Sequence, residues 1–230
     1  MIDTLEAIRL LNLIVTNSVH FLKKVIVASK YTSMPSGKEV NQAEVKYNAL
    51  FWPVVAFGLT LGLWNSILKS FDVGAWKWFD YHPLAMSLGM VVLAALAAMK
   101  KRIGGKGPTV MHGYMANAGV ALGGFGLYVI YSNKEMLKKP HFTTLHGKLG
   151  LGAFVAFAML GLVGGIALHP DFGVAKQNQL IRKAHKFGGR AALLTAWGAA
   201  VTGFTKMEAS PVLQGGVVLG MALLSYFVML

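Results

Sequence analysis

The sequence has no cysteine, and only nine acids stand against 22 lysines and arginines in its 230 residues. Without thiols there is no disulfide framework, no thiolate metal site and no redox thiol. The shortage of acids removes further chemistry. A di-iron bundle takes its ligands from Glu and Glu-x-x-His on inward-facing helices, a nucleophilic triad needs a buried acid, and a zinc hydrolase of the commonest type needs His-Glu-x-x-His. The apolar runs carry almost no acids and the last motif is missing. Charge of either sign is sparse, at 13% of residues against 55% hydrophobic. That is too little to cover the surface of a soluble domain. The first residues also lack the basic, apolar, small-residue succession of a cleaved signal peptide, so insertion is expected to be directed by the first spanning helix.

Long apolar runs are abundant instead. A run of about 20 residues crosses a hydrocarbon core about 30 Å thick, and six are predicted: 49–68, 82–99, 110–131, 144–168, 184–205 and 211–230. Gly104-Gly105-Lys106-Gly107-Pro108 and His169-Pro170-Asp171-Phe172-Gly173 break the pattern between them. Gly119, Gly123 and Gly126 share one helix face, and Gly161, Gly164 and Gly165 another. Such faces let helices approach closely or leave room for a flat ligand.

The net charge of +13 does not point to nucleic acid, because the Lys and Arg sit in short clusters between apolar runs. Membrane loops carry basic residues in this way. Fifteen of the 22 fall on one side of the six-span arrangement, which predicts both termini in the cytosol or its stromal or matrix equivalent. From Asp3 to Lys30, Leu5, Ile8, Leu11, Val15, Val19, Leu22 and Ile26 line one face and polar residues the other. This predicts an amphipathic helix on the membrane surface or against a partner subunit. Residues 31–47 read as a linker. The expected organisation is an interfacial segment over 1–47 and a six-helix transmembrane domain over 48–230.

Seven histidines are present: His20, His82, His112, His141, His146, His169 and His185. His20 fits the polar face of the amphipathic helix. His82, His112, His146 and His185 each stand at the start of a successive span. Consecutive spans run antiparallel, so these starts alternate between the two membrane faces. His82 with His146 forms one pair, on the non-cytosolic face, and His112 with His185 the other. Two imidazoles from facing helices can fill both axial positions of a haem iron, which favours electron transfer over oxygen activation. His141 and His169 each share a face with one pair, and spacing alone does not exclude them as ligands.

The stretch from His82 to about Lys206 resembles the cytochrome b561 family of transmembrane haem proteins. Tyr81-His82-Pro83-Leu84-Ala85-Met86, Met111-His112-Gly113, Thr144-Leu145-His146-Gly147-Lys148-Leu149-Gly150 and Lys183-Ala184-His185 carry the likeness, with histidine intervals of 30, 34 and 39 residues. The resemblance implies an all-α integral membrane protein of six transmembrane helices, with a four-helix haem-binding core over 82–206. It also implies two haem b groups, one on His112 and His185 and one on His82 and His146. The family passes electrons from cytosolic ascorbate to monodehydroascorbate or a ferric chelate across the membrane, and homodimers are expected from it.

In that light Lys100, Lys101, Arg102, Lys106, Arg182 and Lys183 would attract an anionic donor or bind haem propionates. Lys134, Lys138, Lys139 and His141 would serve an anionic acceptor. The competing reading is that the cytosolic cluster only sets topology. Two departures stand out. An Arg-rich helix end is reduced to Lys100-Lys101-Arg102, and Ser-Leu-His-Ser-Trp is replaced by Thr144-Leu145-His146-Gly147-Lys148. The segment from Asn133 to Gly147 looks closer to the divergent single-domain branch of the family. The two departures make electron transfer a firmer expectation than ascorbate as donor. The alternative from another class is a non-enzymatic membrane subunit that scaffolds a larger complex, with the fold kept for pigment or lipid.

Overall fold

The computed structural model describes residues 41–64, 77–208 and 210–229. Among them are six helices and no strand: α1 Gln42–Leu63, α2 Trp78–Ile103, α3 Lys106–Met136, α4 Leu145–Ile166, α5 Gln179–Met207 and α6 Pro211–Met229. Of these, α2, α3, α4 and α6 are long and apolar enough to cross a membrane. The expected surface helix over Asp3–Lys30 lies outside the described residues.

Local chemistry sets the ends. Asn41 accepts from the backbone N–H groups of Ala43 and Glu44, which starts α1 at Gln42. The segment 31–47 is therefore not linker throughout, because an N-cap with an acid in the first turn begins a helix where composition suggested a loop. Thr144 caps α4 by accepting from Gly147 N–H at 3.1 Å. Asn178 caps α5 through the N–H groups of Leu180 and Ile181. Between α2 and α3 the chain reverses at Gly104 and Gly105, both near φ +80°, a conformation that costs other residues energy. The helix starts at Trp78, Lys106 and Gln179 all precede the expected span starts by four to five residues. Their first turns carry polar or charged residues, such as Asp80, Lys106 and Arg182, and so fall outside a search for apolar runs.

Packing uses the small residues. A methyl group on Gly89 would lie 2.6 Å from the Gly119 carbonyl oxygen, and one on Gly119 2.8 Å from that of Gly89. The α2 and α3 backbones are therefore in direct contact there. Met90 lies over Gly123, and Met86 over Gly126. The segment Ser87–Leu93 of α2 is a π-helical stretch. Such a widening often marks a functional region. Helix α4 packs mainly on α5, while α1 lies against α2 with α6 beside it. Trp64 at the end of α1 donates Nε1–H to Glu208 Oε2 at 3.0 Å. Arg190 Nη2 caps the last turn of α6 by donating to Met229 O at 3.1 Å. The deepest side chains, among them Leu96, Val91 and Trp197, sit where α1 and α5 converge on α2.

Candidate functional site

The four helices α2 to α5 enclose two cavities, each with one histidine pair in its wall. The first is about 300 Å³ and lined by His82 and His146. The second is about 800 Å³ and lined by His112 and His185. They lie back to back. Gly89 lines one and Met90 the other on α2, Phe157 and Phe154 divide in the same way on α4, and Leu193 and Ala196 on α5. Residues one to three positions apart on the same helix thus line opposite cavities.

Three of the four imidazoles are held alike. His82 Nδ1 is 2.9 Å from Gly126 O, His112 Nδ1 is 2.8 Å from Ala97 O, and His146 Nδ1 is 2.8 Å from Ala199 O. A carbonyl oxygen only accepts, so each Nδ1 carries the proton and donates it. The lone pair of each ring is thereby left on Nε2, the tautomer a metal-binding histidine adopts. His185 Nδ1 is buried and has no partner among the described residues. Glycines make room for two of the rings. A methyl group on Gly203 would lie 2.8 Å from His146 Cε1, and one on Gly164 3.1 Å from His185 Cε1.

The pairs are matched in spacing. The ring centroids of His82 and His146 are 6.1 Å apart with planes at 87°, and those of His112 and His185 are 6.3 Å apart at 82°. Among the described residues no group of three or more His, Cys, Asp or Glu is gathered as for a bare metal ion.

The other histidines stand apart from the pairs. His141 stacks on Tyr131 at 4.2 Å, and its Nε2 is 2.6 Å from Glu135 Oε1. It lines the rim of the His82 cavity. His169 lines the His112 cavity, stacks on Phe172 at 3.8 Å, and its Nδ1 accepts the Asp171 N–H.

The basic residues divide as well. Lys101, Arg102, Lys106, Arg182 and Lys183 line the His112 cavity, whereas Lys100 does not and lies instead over the Tyr47 ring at 4.5 Å. Lys106 pairs with Asp171 at 2.5 Å, and this ammonium, as a hydrogen-bond donor, holds the carboxyl of Asp171 below the usual carboxylate range. Lys134 lines the His82 cavity and donates to Pro140 O at 2.8 Å. Lys138 and Lys139 lie in the connection beyond α3 and do not line it. Sequence reading missed Lys206, Phe79 and Phe142 in the wall of the His82 cavity, and Asn117 in that of the other. Asn117 had a legible signal as an amide inside an apolar run. Phe142 had none, because its φ of 52° belongs to the folded connection.

Residues 81–210, more than half of the chain, match the family described as eukaryotic cytochrome b561. The chain belongs to that family. Cytochromes b561 are integral membrane proteins that bind haem b and serve electron transport. The chain is 27% identical over 139 residues to the lysosomal membrane ascorbate-dependent ferrireductase of Bos taurus, an overlap of 58% of this chain and 52% of that protein. It thus spans about half the length of the curated relative it matches.

The residues present fit haem. Two imidazoles bonded to opposite faces of one iron, each through a bond of about 2 Å, have ring centroids roughly 6.3 Å apart. Both histidine pairs have that spacing. Each cavity is flat-walled by glycine on at least one side of a ring, Gly203 in one and Gly164 in the other.

Proposed function

We propose that this cytochrome b561 carries electrons across a membrane through two b-type haems, one held by His112 and His185 and the other by His82 and His146. The observation that carries the reading is the common state of the ring nitrogens. Three imidazoles give their Nδ1–H to carbonyls of the neighbouring helix, so each has one free Nε2 within a pair spaced for an intervening iron. Haem held by such a pair would supply one-electron transfer there. The chain's own residues orient the rings, exclude water with apolar walls, and set the two cavities back to back.

Six spans with both termini on the cytosolic side agree with the excess of Lys and Arg at the ends of α2 and α5 that bear the His112 cavity. Lys101, Arg102, Arg182 and Lys183 would then draw an anionic cytosolic reductant such as ascorbate toward the His112 cavity. Lys134, Lys206 and His141 would guide monodehydroascorbate or a ferric chelate to the other. The relative's name, an ascorbate-dependent ferrireductase, supports ascorbate as the donor and a ferric species as the acceptor. The N-terminal segment is assigned to the membrane surface, and a second copy of the chain is the expected partner.

The test is an absorbance spectrum of the detergent-purified protein, oxidised and then reduced with dithionite, with haem measured per chain. The expected result is about two b-type haems. His112→Ala should remove about half of that haem while the helices still insert. Folded protein that takes up no haem from an adequate supply would favour the scaffold reading, and His112→Ala with its full haem content would sink the ligand assignment.

A further inference from the structure

The wall of the His82 cavity holds a third imidazole that the two histidine pairs do not use. His141 lies in the connection between α3 and α4 and is tied back to α3 by the Tyr131 ring and by Glu135. A carboxylate oxygen only accepts, so His141 Nε2 carries a proton and donates it to Glu135 Oε1. Nδ1 is the nitrogen left to exchange a proton, and it has no hydrogen-bond partner among the described residues. The side chain is 23% exposed, so water reaches the ring. Phe142, the next residue, lines the same cavity at a φ of 52°. That backbone state costs a bulky residue energy, and such strain gathers at functional sites. The other imidazoles in this wall have no nitrogen to spare. His82 and His146 give their Nδ1–H to carbonyls and keep Nε2 for a metal. Lys134 and Lys206 supply positive charge to the same wall, but an imidazole is the side chain that takes up and releases protons near neutral pH.

We propose, on the electron-transfer reading of the chain, that His141 is the catalytic acid that protonates monodehydroascorbate as it is reduced, with Glu135 as the positioning residue. Monodehydroascorbate is a radical anion. One electron alone would make it an enediolate dianion, which is a strong base, whereas one electron with one proton gives the ascorbate monoanion. The electron arrives through the protein. The proton leaves Nδ1 of the His141 imidazolium, whose N–H bond breaks as an O–H bond forms on an enolate oxygen of the acceptor. No other bond of the acceptor is made or broken. The neutral ring keeps its Nε2–H on Glu135 and regains a proton from water at the exposed rim. Glu135 steadies the charged ring and fixes which nitrogen acts, the part a carboxylate plays behind any acid–base histidine. A ferric chelate takes an electron and no proton, so the same wall serves it without this step.

The test compares two acceptors outside ascorbate-loaded vesicles that carry the full chain, so that only electrons crossing the membrane reach them. One is ferricyanide, which takes no proton. The other is monodehydroascorbate generated by ascorbate oxidase and followed by its paramagnetic resonance. His141→Gln should slow reduction of monodehydroascorbate about hundredfold and that of ferricyanide no more than about threefold, the effect of one guiding charge. Glu135→Gln should shift the ratio of the two rates in the same direction by a smaller factor. An equal fall for both acceptors, or no fall, would overturn the proposal. A second readout needs no turnover. Diethyl pyrocarbonate modifies an imidazole nitrogen that bears no proton, and mass spectrometry reads the product residue by residue. Ascorbate should shield His141 of the unaltered chain from it, and mannitol should not. An unshielded His141 would overturn the proposal whether or not the variants fold. Haem content and midpoint potentials, read on the same samples, should be the same in His141→Gln as in the unaltered chain. Unaltered protein that passes no electrons to ferricyanide would instead overturn the electron-transfer reading itself.

Discussion

Around His146 the deciding atoms belong to its neighbours. Its Nδ1–H is fixed by the Ala199 carbonyl, and its ring rests where Gly203 has no side chain. A larger residue there must displace either the ring or α5. Gly203→Leu is therefore expected to lower bound haem per chain by about half and to weaken what remains at that site by about ten- to hundredfold. Haem titration followed by absorbance measures both, and an unchanged titration would show that the ring does not need that space. Gly164 stands in the same relation to His185. Histidines are legible in a sequence because few other residues do their chemistry. Main-chain carbonyls are not, because every residue carries one and only helix pairing decides which faces an imidazole.

The contact between α2 and α3 depends on backbone meeting backbone at Gly89 and Gly119. Overpacking a close contact of this kind costs about 1–3 kcal/mol. Gly119→Leu should accordingly lower the thermal midpoint of the protein in detergent, and Gly107→Leu, where a side chain would meet nothing within 4 Å, should not. Gly119, Gly123 and Gly126 were readable as one helix face from their spacing. Their opposite numbers on α2, Gly89 and Met90, were not, because the π-helical stretch Ser87–Leu93 changes the register of that face. The start of α1 at Gln42 was hidden for another reason. A cap is made by one side chain and two N–H groups, too small a signal to outweigh a polar composition.

For the molecule as a whole, orientation is the property most open to a direct check. The chain has no cysteine, so a single introduced thiol reports its own side of the membrane. Lys106→Cys is expected to react with an impermeant maleimide only from the cytosolic side, and Lys138→Cys only from the other. Labelling of both from one side would overturn the arrangement of spans. The two positions lie at opposite ends of α3, with Lys106 as its first residue and Lys138 just past its last, so the answer does not depend on the outer helices.

The sequence by itself determined the class of the protein, the antiparallel succession of apolar helices, and the pairing of His82 with His146 and His112 with His185. These follow from length, hydropathy and the parity of spans, which need no knowledge of contacts. The tertiary structure alone decided which ring nitrogen stays free, which glycines seat the rings, and which residues divide the two cavities. It also decided which cations line a cavity, since Lys100 turns to Tyr47 while Lys101 does not. Each of those depends on the rotation of one helix against another, and that is fixed by packing between residues far apart in the chain.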